Sequence, residues 1–315
     1  MGFSFSGFFF ESYDLINIIG MIAVVIVLIF LNEISRESKI VSGILYGAVP
    51  ILLLALIGFD VIPGSPSTAT WFGTVKTLSA LLGVWGFLLI RHTKLGDTKF
   101  KTIFPVAILA INICEAIYRD IEVFMTYKTL TVDEGGVTLL GGYWNLFNAA
   151  AGVLLLVTMT GFTGIKVANT KSRDMVWADQ LWFWIVAYDV WNAAYCYNCI
   201  STRGMYTGIT LLISCTVAEF VIKRGAWLQH RAQTLALFGM FSLAVDYNTM
   251  PAFDLVATYN ENAWGTLSVL AFIVNLAVFI YMIYKIVKTK RNPYKGELYV
   301  DLKAYETNLK ANGLA

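Results

Sequence analysis

Apolar stretches of about 20 residues alternate along the chain with short polar connections. That period matches the hydrocarbon thickness of a bilayer and is too long for a soluble core. Nine stretches fit it, at 15–32, 40–59, 69–90, 102–124, 142–165, 175–199, 205–222, 226–247 and 263–286. Backbone groups in lipid must be satisfied within their own segment, so each stretch predicts a helix. The expected fold is an all-α polytopic transmembrane bundle of about nine spans over residues 1–287, followed by a short tail at 288–315. Leu298, Leu302, Tyr305 and Leu309 are spaced for one amphipathic helix in that tail.

Composition supports lipid as the main solvent. Of the 315 residues, 57% are hydrophobic and only 14% charged, where a soluble domain carries about one quarter. A formal net charge of +2 leaves no basic field for nucleic acid. The bilayer is therefore the first expected partner, and a small-molecule or ion ligand the second.

The distribution of charge then orients the bundle. Basic residues gather after the first span (Arg36, Lys39), the third (Arg91, Lys94, Lys99, Lys101), the fifth (Lys166, Lys171, Arg173) and the seventh (Lys223, Arg224, Arg231), and again in the tail. The alternate connections hold Asp60, Asp133, Glu134, Asp254 and Glu261 against only Lys128 and Arg203. The positive-inside rule places the N-terminus outside and the C-terminus inside. Helices three, five, seven and nine open on aromatic residues, at Trp71, Tyr143, Tyr206 and Trp264, which reads as an interfacial belt.

Polar residues inside spans cost about 2.5–3.5 kcal/mol each when ionised at the bilayer centre, so they normally face a bundle interior or water. Asn112, Glu115, Arg119 and Glu122 follow i, i+3, i+7, i+10 and share one face of the fourth span. Glu115 and Arg119 are spaced for an ion pair, which serves either packing or a ligand site. Asp189, Asn192, Cys196 and Cys199 repeat the spacing on the sixth span, flanked by Tyr188 and Tyr195 among indoles. A carboxylate, an amide and phenols beside aromatic rings suit a small polar molecule or a cation. Lys76, Asn145, Asn148, Ser242, Asp246 and Asn248 add polar groups at similar depth, the convergence by which transporter sites are built. Cys196 and Cys199 also form a C-x-x-C pair, a redox candidate. Both histidines, His92 and His230, lie near the other face, so no metal site is expected.

A second, inner group comprises Asp179, Glu219, Gln229, His230, Arg231 and Gln233. His230 with Glu219 reads as an inner gate or proton step, while His230 and Arg231 alternatively snorkel to headgroups. The runs Trp177-Ala178-Asp179-Gln180-Leu181-Trp182-Phe183-Trp184, Tyr188-Asp189-Val190-Trp191-Asn192 and Gly225-Ala226-Trp227-Leu228-Gln229-His230-Arg231-Ala232-Gln233-Thr234 resemble an uncharacterised family of bacterial multi-pass membrane proteins. The resemblance implies a bacterial inner-membrane location and supplies no activity, cofactor or site.

No H-E-x-x-H, G-x-S-x-G or glycine-rich phosphate loop occurs, which favours binding or transport over catalysis. The leading reading is a transporter or channel for a small polar solute or ion. An intramembrane enzyme, either a thiol oxidoreductase or a lipid-modifying one, stands second. A sensor or scaffold acting through the tail stands third.

Overall fold

The structure, a computed structural model, describes residues 7–11, 13–65, 71–201, 204–253 and 255–315, without the side chains of Phe72 and Asn248. The loop charges Arg203 and Asp254 lie outside the described residues. Each predicted stretch holds a helix: α1 (Leu15–Glu37), α2 (Lys39–Gly58), α3 (Trp71–His92), α4 (Phe100–Thr126), α5 (Tyr143–Val157), α6 (Trp182–Cys199), α7 (Met205–Ile222), α8 (Trp227–Ala244) and α9 (Glu261–Thr289). A tenth helix, α10 (Lys303–Lys310), lies in the tail. Six of them, α1, α2, α3, α4, α7 and α9, are long and apolar enough to cross a membrane.

The remaining three differ for a physical reason. Helix α5 has only 15 residues, and α6 and α8 carry the polar residues of the interior. Along α6, residues from Trp184 to Cys199 are largely buried, because α4, α5, α7 and α9 pack around this helix and Trp227 and Arg231 of α8 meet Tyr188. Its rings stack a turn apart, Trp184 on Tyr188 and Trp191 on Tyr195, at 5.7 and 6.4 Å. By contrast α1 turns Ile16, Ile19, Ile22, Ile26 and Phe30 outward, the surface that lipid would cover.

Two expected boundaries are corrected. The fifth stretch ends at Val157 instead of 165, and the sixth begins at Trp182 instead of 175. Residues 158–181 instead form a folded connection containing a two-stranded hairpin, β3 (Lys166–Val167) with β4 (Met175–Val176). Gly161 turns the chain there at φ 65°, a conformation that favours glycine. A second hairpin, β1 (Thr131–Val132) with β2 (Thr138–Leu139), crosses the opposite end between α4 and α5. The tail is not one amphipathic helix from Leu298 onward. Helix forms only at α10, because the Leu298 and Tyr299 amides donate to Asp179 at 3.1 and 2.8 Å.

Four apolar clusters result among the described residues, and the two larger ones frame the interior. One joins α4, α5, α6 and α9 through Ile113, Leu155, Trp191 and Val278. The other joins α1, α3, α7 and α8 through Leu28, Leu81, Leu211 and Leu237. The candidate site lies in the seam between them.

Candidate functional site

A cavity of about 530 Å³ occupies this seam, lined by residues of α3, α4, α6, α7, α8 and the β1–β2 hairpin. On α8 its lining runs from Ser242 to Arg231, a depth of about 16 Å at 1.5 Å per residue. The mouth thus lies at the β1–β2 end, and the floor lies one turn from the basic end.

Part of each polar face read from the sequence lines this space, while Asn112, Glu115 and Asp189 do not. Arg119 and Glu122 line it from α4, and Asn192, Tyr195, Cys196 and Cys199 from α6. The expected Glu115–Arg119 pair does not form. Arg119 instead donates to Glu122 at 2.8 Å and to Asp133 on the hairpin at 2.9 Å. Glu115 pairs with Lys76 of α3 at 3.3 Å, which also reaches the Asn112 carbonyl at 3.3 Å. The reason is local supply. Among the described residues Glu115 is the only carboxylate within ion-pair reach of Lys76, whereas Arg119 has two alternatives nearer the mouth.

Asn145 and Asn148 are placed elsewhere. They donate to Asp120 at 2.9 and 2.7 Å, and the Cys199 thiol donates to the same carboxylate at 3.4 Å. Asp120 is fully buried. It falls off the Asn112–Glu122 stripe, so sequence spacing did not single it out. Asp189 accepts from Thr216 at 2.7 Å and does not line the cavity. Asp246 borders a small separate recess with Tyr206 and Tyr247. Cys196 and Cys199 are free thiols, not a disulfide.

The hairpin closes part of the mouth. Val132, Asp133, Glu134, Gly135 and Val137 all line the cavity. Asp133 Oδ1 accepts from the Gly135 and Val137 amides at 2.9 and 3.0 Å, and its other oxygen meets Arg119. Ser201 ties the second strand by donating to the Thr138 carbonyl at 2.9 Å. The turn run Asp133-Glu134-Gly135-Gly136 between β-prone residues was the available signal for this element.

The inner group separates into two parts. Arg231 forms the cavity floor: its Nε meets the Tyr188 hydroxyl and one terminal nitrogen meets Asn192 Oδ1, both at 3.4 Å. Its Nη1 has no partner, although the residue is only 5% exposed. Its side chain is thus held inside the bundle. His230, one residue earlier, points the other way. Its Nδ1 accepts from Asn32 of α1 at 3.0 Å and its Nε2 donates to the Lys223 carbonyl at 3.1 Å. Glu219 does not meet His230; it accepts from the Gly225 and Ala226 amides at 2.6 and 3.0 Å, holding the α7–α8 turn. Asp179 fastens the tail, accepting from Thr160 at 2.7 Å besides the Leu298 and Tyr299 amides.

Beside His230 the basic end is closed by a network centred on Asp174. This carboxylate accepts from Arg36 at 2.8 Å, Gln229 at 2.9 Å and Ser172 at 2.7 Å, with Arg91 at 3.8 Å and Lys223 at 4.0 Å. Arg91 is itself fully buried and donates to the Arg36 and Ser172 carbonyls, each at 2.7 Å. Burial opposes ionisation of Asp174, yet Arg36, the hydrogen bonds and Arg91 together hold its carboxyl below the usual range. Four elements, α1, α3, the β3–β4 connection and α8, are fastened at this point.

A helical, apolar-rich bundle with candidate spans and a polar interior cavity defines a membrane protein. The chain matches the model of DUF5692, a family of unknown function, over residues 11–311, and it belongs to that family. No curated protein and no solved structure matches it.

Proposed function

We propose that the protein is a nine-span transporter for a small polar solute, lying in a bacterial inner membrane with its N-terminus outside. One observation carries this reading: a cavity of about 530 Å³ reaches from the mouth to Arg231, and no residue of the bonded Asp174 network at the basic end lines it. A cavity deep in one direction and sealed in the other is the form of one end state in alternating access. The polar helices α6 and α8 count as spans because neighbouring helices shield them from lipid. The basic residues at the sealed end favour the cytoplasmic side for that end.

The test is uptake of pooled small solutes into proteoliposomes, read by mass spectrometry against empty liposomes. Gly239 lines the cavity, and a Cβ there meets only Thr77 Oγ1, at 3.8 Å, so Gly239→Leu fills the space without a backbone clash. The native protein enriches at least one solute, and Gly239→Leu loses the larger of the enriched solutes. No enrichment by the native protein removes the transport reading, and an unchanged set of solutes in Gly239→Leu removes the cavity as their route.

A further inference from the structure

The charges around the cavity specify more than a polar solute. Three cations line it, Lys76, Arg119 and Arg231. Glu115 neutralises the first, and Glu122 with Asp133 the second. Arg231 stands apart: among the described residues no carboxylate lies within ion-pair distance of it, its two hydrogen bonds are long, its guanidinium lies 5.8 Å from the Tyr188 ring centre, and Nη1 has no hydrogen-bond partner in a buried side chain. A buried guanidinium that keeps its charge needs a counter-ion, and its planar fork matches a carboxylate in two parallel bonds.

The rest of the wall narrows the class. Glu122, Asp133 and Glu134 line the mouth, so a second negative charge on the ligand would meet like charge on its way in. Leu211, Leu235 and Phe238 line the wall along the same seam and suit an apolar body. The volume lies within the range of about 300–1,000 Å³ typical of small-molecule sites.

We infer that the solute is an organic monocarboxylate, its carboxylate paired with Arg231 at the floor and its apolar body against Leu211, Leu235 and Phe238. This rests on the cavity being a solute site, but it requires binding only, not movement across the membrane.

The experiment measures thermal unfolding of the full chain in detergent with acetate, butyrate, benzoate, phenylacetate, the neutral amide phenylacetamide, succinate and inorganic phosphate. Monocarboxylates raise the midpoint in a saturable way, while phenylacetamide, succinate and phosphate do not. Arg231→Gln weakens phenylacetate binding by about tenfold or more, the scale of a lost charge-assisted pair. Should Arg231→Gln fail to fold, Gly239→Leu supplies the second reading, losing phenylacetate while keeping the smaller acetate. The inference is overturned by no response to any monocarboxylate, by an equal or larger response to succinate or phosphate, or by full phenylacetate binding in Arg231→Gln. An unchanged phenylacetate response in Gly239→Leu overturns it as well. Carboxylate binding without solute uptake in liposomes sinks the transport reading and leaves this inference standing.

Discussion

Replacing Asp174 with Asn tests whether the basic end is held by charge. The substitution keeps the size of the side chain and one acceptor oxygen, so the hydrogen bonds from Ser172 and Gln229 are partly retained, but the negative charge is lost. Two buried guanidiniums then lose their common counter-ion. Arg36 retains Glu33 and Glu37; Arg91 is left with carbonyl partners only, from Arg36, Ser172 and Arg173. Breaking a buried ion pair from one side costs about 3–5 kcal/mol. The retained partners of Arg36 place the expected loss near the lower limit, about 3 kcal/mol. Thermal and denaturant unfolding in detergent measure it. Adding Arg91→Met to the Asp174→Asn variant recovers a large part of that loss, because the stranded cation is removed with its partner. A loss under about 1 kcal/mol, or an added penalty from Arg91→Met, would refute the reasoning.

Acid should act in the same direction. The Asp174 carboxyl is depressed in the folded state, so its contribution is complete above the ordinary carboxylate value near 3.9 and is lost as pH falls below it. Stability of the native chain should decline there more steeply than that of Asp174→Asn, and parallel acid profiles would contradict the assignment. At the mouth, Asp133→Ala removes the acceptor for Arg119 and for two hairpin amides. Amide exchange in residues 131–139 should rise at least tenfold, with α4 and α5 little changed; unchanged exchange would mean that the hairpin is held otherwise. In the tail, Asp179→Ala removes one acceptor that serves Thr160, Leu298 and Tyr299, at a cost of about 1–3 kcal/mol for donors left without partners. Limited proteolysis should then cut between residues 288 and 302 in the variant before the native chain, and identical cleavage rates would count against the fastening.

Helix positions were legible because lipid imposes one length and one backbone solution on every spanning segment. The two polar faces were legible for a related reason: i, i+3, i+7, i+10 spacing fixes a face whatever the partners are. Pairing within the site was not. Glu115 and Arg119 have the spacing for an ion pair, but Lys76 from α3 and Asp133 from the hairpin compete for them, and that competition depends on helices adjoining in space. Asp120 could not be given a role from sequence because its partners, Asn145 and Asn148, come from another helix. Arg231 and His230 looked like one inner cluster because they are neighbours in sequence. A helix turns about 100° per residue, which sends one into the cavity and the other to Asn32.

That neighbouring placement has an electrical consequence. Between Trp227, at the start of α8, and Arg231 there is about 6 Å of helix. If water fills the space down to Arg231, most of the transmembrane voltage falls across the packed layer from Arg231 through the buried start of α8 to the tail, and little of it along the cavity. In the proposed orientation a charge reaching Arg231 from outside has crossed almost none of the field, and the work of about 2.3 kcal/mol per 100 mV is concentrated in the last step past α8. Voltage would then act on release to the inside, while association from the outside would be nearly insensitive to it.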